Sequence, residues 1–210
     1  MENLSTREVD QLKNIFNQSL TYAISQFGVM LRHKITVSSP SMRFINFSDV
    51  SYLFGGSNRI ITAIYLEYSG EYEESGEKHP VAGRMLLTFK IESAYEIATI
   101  LTEELKVPLD RLDEMTDSIF GELGNVFGTS FLSTISQLGG IKLVPSVPKV
   151  IKYRATSIAE YVQSKMTNPN QEILMLQTSL GSDDQIVEGA FMFIPDEYTG
   201  ISHILGKQPL

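Results

Sequence analysis

The chain has 210 residues, no cysteine and no tryptophan, with 42% hydrophobic and 20% charged residues. That composition excludes a disordered, collagen-like or disulfide-stapled chain, and the length suffices to bury a core without metals or cross-links. Seventeen Lys and Arg against 25 Asp and Glu give a formal net charge of −8, and without a cluster of cations nucleic acid is not an expected partner.

An acidic surface also disfavours anionic membranes. The polar start Met1–Glu8 has no apolar signal core, and no apolar run reaches the length of a membrane span. The expectation is a cytoplasmic protein without membrane insertion. His33, His79 and His203 are scattered and there is no thiol, so neither zinc nor thiol chemistry is expected, nor any cofactor of the chain's own.

The spacing predicts a first helix from about Thr6 to Arg32. Ser5 and Glu8 have the separation of a capping box, and Val9, Leu12, Ile15, Phe16, Leu20, Ala23, Ile24 and Phe27 recur near helical period. Gly28 weakens its last turn. A second long helix is predicted from about Asp110 to Leu138, after Pro108 and before Gly139-Gly140. On it Ser118, Glu122, Asn125, Thr129, Ser133 and Ser136 form one narrow polar stripe opposite an apolar face. Gly121, Gly124 and Gly128 line the edge of that stripe. Each interior glycine costs about 0.5–1 kcal/mol relative to alanine, so close approach of another backbone is expected there.

Laid over one another at an offset of 108 residues, the two helices match position by position. Asp10 falls on Ser118, Asn14 on Glu122, Asn17 on Asn125, Thr21 on Thr129 and Pro40 on Pro148. The short strands predicted at His33–Val37 and Ile141–Pro145 also match. Longer strands follow at Arg59–Tyr68 and Gly83–Lys90, with counterparts at Glu172–Thr178 and Glu188–Ile194. Polar hairpin loops are expected at Ser69–His79 and Gly181–Gln185. Closing helices are expected after Glu92-Ser93 and Asp196-Glu197. The prediction is an α/β chain of α+β character in a single domain. Two pseudo-twofold-related repeats, about 6–107 and 108–210, share one continuous, mainly antiparallel sheet with the two long helices across it.

Glu and Asn three residues apart are also what an ordinary wet helix face carries. However, asparagine is a poor helix former, and both helices place one at the equivalent position. Ser118-x3-Glu122-x2-Asn125, followed by Pro148 after 22 intervening residues, resembles the signature of the CheC/CheX/FliY chemotaxis phosphatases. Its double occurrence resembles the CheC branch, whose chains are tandems of two such halves.

The resemblance implies a phosphatase acting on a phosphorylated response regulator of the CheY type. The regulator supplies the aspartyl phosphate and its Mg²⁺. Asn125 is then the amide that orients the attacking water, and Glu122 the carboxylate that meets the regulator's lysine. Ser118 and Pro148 support the geometry. CheD is a further partner the family suggests, and the tandem halves favour a monomer. A non-catalytic adaptor of the same fold, binding CheD or resembling a flagellar-switch protein, is the competing reading.

The first copy, Asp10-x3-Asn14-x2-Asn17 with Pro40, departs from the pattern. Asn14 replaces the carboxylate, and Lys13, Phe16 and Leu20 stand where the second helix has Gly121, Gly124 and Gly128. It is expected to be weak or silent.

Overall fold

The computed structural model of the chain describes residues 6–38, 40–45, 58–104, 112–166, 173–182, 187–196 and 203. Helix α1 (Thr6–Leu31) is followed by strands β1 (Ile35–Val37), β2 (Ser41–Ile45), β3 (Ile60–Glu74) and β4 (Glu77–Lys90). Helices α2 (Ile91–Glu104) and α3 (Leu112–Gly139) come next, then strands β5 (Lys142–Pro145) and β6 (Lys149–Arg154). Helix α4 (Ala155–Ser164) and strands β7 (Ile173–Ser182) and β8 (Glu188–Pro195) complete the described elements.

All these strands join one sheet, and every pairing is antiparallel. The order is β1–β7–β8–β4–β3–β5, with β2 also on β7 and β6 also on β3. Exchanging each strand for its repeat counterpart reverses this order and leaves it otherwise unchanged. The register places the pseudo-twofold axis: Met85↔Phe193 is mirrored by Leu87↔Phe191, with Leu86↔Met192 between them. The short strands cross over. β1 and β2 of the first repeat pair with β7, whereas β5 and β6 of the second pair with β3. The continuous antiparallel sheet and the α+β character are as the sequence predicts.

On one face lie α1, α2 and α3, packed against Ile64 and Leu66 of β3, Met85 and Phe89 of β4, and Phe191 of β8. On the other, Ile158 and Val162 of α4 cover Ile61, Tyr65, Leu86 and Met192. Strands coated on both faces read as near-continuous apolar runs rather than alternating ones. Rings join the layers. Phe16 meets Phe131 edge-on at 5.4 Å, and Phe191 meets both Phe127 and Phe131 at 4.8 Å.

One expectation is corrected, and three elements, β2, β6 and α4, go beyond those predicted. The polar stretch Ser69–His79 is not a loop: β3 and β4 run on through it, and only Ser75 and Gly76, at φ 54° and 84°, make the turn. Two positive φ values suit a tight two-residue hairpin. Pairing of Glu71 with Lys78 at 2.5 Å and stacking of Tyr72 on His79 at 5.0 Å fasten the ribbon. β2 and β6 are short edge strands, and most of β6 is open to water, so neither shows an apolar run. Helix α4 starts directly after β6 behind Arg154, which provides no side-chain cap, so no start signal marks it. Gly181 and Ser182, expected to open the second hairpin loop, belong to β7, while Ser5, residues 183–185 of that loop, and all of the closing helix after Asp196 except His203 lie outside the described residues.

Arg84 is the buried cation of the fold. Its guanidinium pairs with Asp196 just past β8 and donates to the Lys165 carbonyl at the end of α4. Removing it leaves a carboxylate without its partner. Arg84→Ala is expected to cost about 3 kcal/mol, read as a lowered urea midpoint with unchanged slope.

Candidate functional site

Helix α3 is wedged into the core by Phe120, Leu123, Phe127 and Phe131, all fully buried. That burial fixes its rotation and turns one stripe to solvent. Ser118, Glu122, Asn125, Thr129 and Ser133 are exposed on that stripe. Ser136, predicted to extend it, is half-buried, and its Oγ accepts the Leu143 N–H at 3.1 Å. Among the described residues neither Glu122 nor Asn125 has a hydrogen-bond or ion-pair partner, so both heads are free for another molecule.

The glycines beside the stripe serve two purposes, which corrects the single reason expected from the sequence. A methyl group at Gly124 would collide with Ile64 Cγ2 and sit 3.1 Å from Cβ of Pro148. At Gly128 it would lie 2.9 Å from a Leu66 methyl. These two glycines therefore admit the chain's own side chains, not a foreign backbone. Gly121 differs: nothing lies within 4 Å of where its Cβ would stand.

Pro148 owes its place to a bulge. β5 ends with Pro145 opposite Tyr68, and β6 begins with Lys149 opposite Tyr65. Ser146, Val147 and Pro148 thus face only Leu66 and Glu67, one residue too many for the ladder. Ser146 clamps the bulge twice: its N–H donates to Glu67 O at 2.8 Å, and its Oγ accepts the Glu67 N–H at 3.0 Å. The bulge turns the Pro148 ring onto Gly124, the residue before Asn125.

The first repeat has the same device. Val37 faces Leu180 and Ser41 faces Gln177, again with one extra residue between. Ser38 N–H donates to Ser179 O at 3.1 Å, and Ser38 Oγ accepts the Ser179 N–H at 3.1 Å. Pro40 is buried. These serine clamps are absent from the sequence reading, although Ser-x-Pro at 38–40 and 146–148 recurs at the same offset as the motif.

Asp10, Asn14 and Asn17 are exposed on α1, beside α3 on the same face of the sheet. Asn14 differs from Glu122 in occupancy as well as charge, since Gln18 Nε2 donates to its Oδ1 at 3.3 Å. In α3 the residue corresponding to Gln18 is Val126, which cannot make that bond. Phe16, at the place of Gly124, is buried against Phe131 and Phe191.

Comparison with known proteins gives distant relatives that cover nearly the whole chain. The chain is 21% identical to the CheY-P phosphatase CheC of Bacillus subtilis (strain 168) over 197 residues, covering 92% of this chain and 90% of that one. Over nearly its whole length the chain is thus similar to a CheC protein. The Thermotoga maritima FliY structure superposes with a TM-score of 0.73 at 20% identity, covering 99% of this chain and all of that one. A chain of the FliG–FliM complex from H. pylori matches with a TM-score of 0.55 at 12% identity, over 97% of this chain and all of that one. No protein-family model matches. Among the described residues, no helix is long and apolar enough to cross a membrane.

The two kinds of glycine separate by mutation. Gly124→Ala overpacks the seat of Pro148 and is expected to destabilise by about 1–3 kcal/mol. Gly121→Ala relieves the cost of a helix glycine and is expected to stabilise by roughly 0.5–1 kcal/mol. Urea titration of the two variants checks both signs.

Proposed function

We propose that this chain dephosphorylates the aspartyl phosphate of a CheY-type response regulator in chemotaxis, with Asn125 positioning the attacking water. What carries the reading is the outward, unpartnered Glu122–Asn125 pair on a rigidly seated helix, at the spacing of the CheC-type motif. The Bacillus subtilis relative has CheY-P as its named substrate, which supports the same substrate class here.

The chemistry asks little of the phosphatase. An amide both donates and accepts hydrogen bonds but is no strong base. Phosphoryl transfer depends mostly on alignment and charge stabilisation, and a water-orienting glutamine does comparable work in GTPases. In this reading the regulator contributes the acyl phosphate, its bound Mg²⁺ and a lysine. Asn125 holds a water in line with the P–O bond to the aspartyl group, and Glu122 meets the lysine. Attack transfers the phosphoryl group to water and returns the regulator's carboxylate. Ser118 and Pro148 act through geometry, Pro148 by its seat against Gly124.

The first copy contributes little because Asn14 carries no charge and is engaged by Gln18. A cytoplasmic monomer and binding of CheD belong to the same proposal. A second reading, a binding module without catalysis, draws support from the likeness to the FliG–FliM complex chain, since a fold does not fix an activity.

Asn125→Ala is expected to slow phosphate release from the phosphorylated regulator roughly a hundredfold, whereas Asn17→Ala leaves it near the wild-type rate. Equal losses from the two would refute the asymmetry. Wild-type protein that binds the phosphorylated regulator without raising phosphate release above the regulator's own rate would establish the second reading. Glu122→Gln is expected to weaken regulator binding roughly tenfold, measured by titration with the activated regulator.

A further inference from the structure

The bulge of the second repeat is tied at few points. Of the four residues from Pro145 to Pro148, two are prolines, which have no N–H to donate. Ser146 supplies the ties. Its N–H donates to Glu67 O at 2.8 Å, its Oγ accepts the Glu67 N–H at 3.0 Å, and its hydroxyl donates to Val147 O at 3.2 Å. One side chain thus joins the bulge both to β3 and to its own next peptide.

What Ser146 pins is the pair of rings on either side of it. Pro148 Cβ lies 3.1 Å from where a Cβ would stand on Gly124, and Pro145 Cβ lies 3.8 Å from the same place on Gly128. Gly124 and Gly128 enclose Asn125 in the sequence, one residue before it and three after. The two prolines therefore set the spacing between the bulge and the turn of α3 that carries Asn125. A glycine has no side chain that could adjust to a displaced ring, so a shift of the bulge passes to the helix backbone.

The first repeat has a reserve that the second lacks. There the Ser38 Oγ bond to the Ser179 N–H is backed by Thr178, whose Oγ1 donates to Ser38 O at 2.6 Å. By register, the place of Thr178 on β7 is taken on β3 by Leu66. Leu66 cannot make that bond and instead fills the space beside Gly128. In α1, Phe16 and Leu20 stand at the two glycine positions, so Pro40 has no bare backbone to bear on.

We infer that Ser146 is a positioning residue for hydrolysis: through Pro145 and Pro148 its hydroxyl holds the α3 turn that aims Asn125. This rests on the function proposed above. Ser146 is exposed, so water replaces a deleted hydroxyl on the Glu67 N–H. Stability then changes little, while the tie between bulge and strand is gone.

The test measures kcat and KM for phosphate release from the phosphorylated cognate CheY-type regulator by the full chain. Ser146→Ala is expected to lower kcat roughly tenfold with KM near the wild-type value, and Ser146→Thr, which restores the hydroxyl, to return it. Ser38→Ala, the same deletion in the other repeat, is expected to leave kcat unchanged. Because the chain has no cysteine, a nitroxide on Thr129→Cys reports the motion of the stripe alone. Ser146→Ala is expected to loosen that label and Ser38→Ala to leave it as it is. Wild-type kcat in Ser146→Ala, an equal loss in Ser38→Ala, or no recovery in Ser146→Thr overturns the proposal, and hydrolysis lost in Asn125→Ala then leaves the catalytic reading standing. Hydrolysis unchanged in Asn125→Ala overturns the catalytic reading, and the label alone then decides: a loosened label in Ser146→Ala upholds Ser146 as the pin of the stripe, and an unmoved one overturns that as well.

Discussion

The seat of α3 on β3 is the contact on which the site depends. Large rings along one side of the helix leave it no freedom of rotation. On the adjoining side, Gly124 and Gly128 let Ile64, Leu66 and Pro148 come within van der Waals reach. Interiors packed to this density resist small shifts. A free carboxylate and a free carboxamide are thereby held at a fixed angle to the surface without any hydrogen bond of their own. The site is precise because of what lies beneath it.

In the proposed function Asn125 only aligns water, and that task needs such a support. Alignment fails with displacements of about an ångström, and a loop-borne asparagine would wander by that much. Mounting it mid-helix, with the next strand bulged so that a proline ring bears on the preceding residue, supplies stiffness without covering the side chain. The clamping serines serve the same end at the level of the backbone. In the first repeat bulge, serine clamp and proline all persist, while the helix edge is filled by Phe16. That half has kept its architectural parts and lost the carboxylate.

Much of this was legible in the residues. Matched polar positions at a single offset revealed the repeat, and the repeat implied the pseudo-symmetric sheet. The exposure of Ser118, Glu122, Asn125 and Thr129 followed from helical period alone. The glycines were misread because a missing side chain shows that something comes close, not what comes close: Ile64 lies in a predicted strand and Pro148 in a bulge, but sequence spacing does not say which of them packs on the helix. Edge strands β2 and β6 escaped because they are short and, in β6, mostly open to water, so neither carries an apolar run long enough to detect. The ribbon from Ser69 to His79 escaped because its acidic residues read as a loop, while the inward-facing Tyr72 that marks the strand is a single aromatic among them. The bulges were invisible for a different reason: they exist only as a mismatch in register between two strands.

The crossing-over of the short strands has a consequence for how the chain is made. Ile35 is laid down early in synthesis, yet its ladder partner is Ser182, close to the other end. One edge of the sheet must wait for nearly the whole polypeptide to emerge, and contacts so distant along the chain are slow to form. Until then the growing amino-terminal half holds β3 and β4 with apolar faces uncovered. Cutting the gene between the repeats would therefore yield no self-sufficient half, because each repeat supplies the strands that wall the other's sheet.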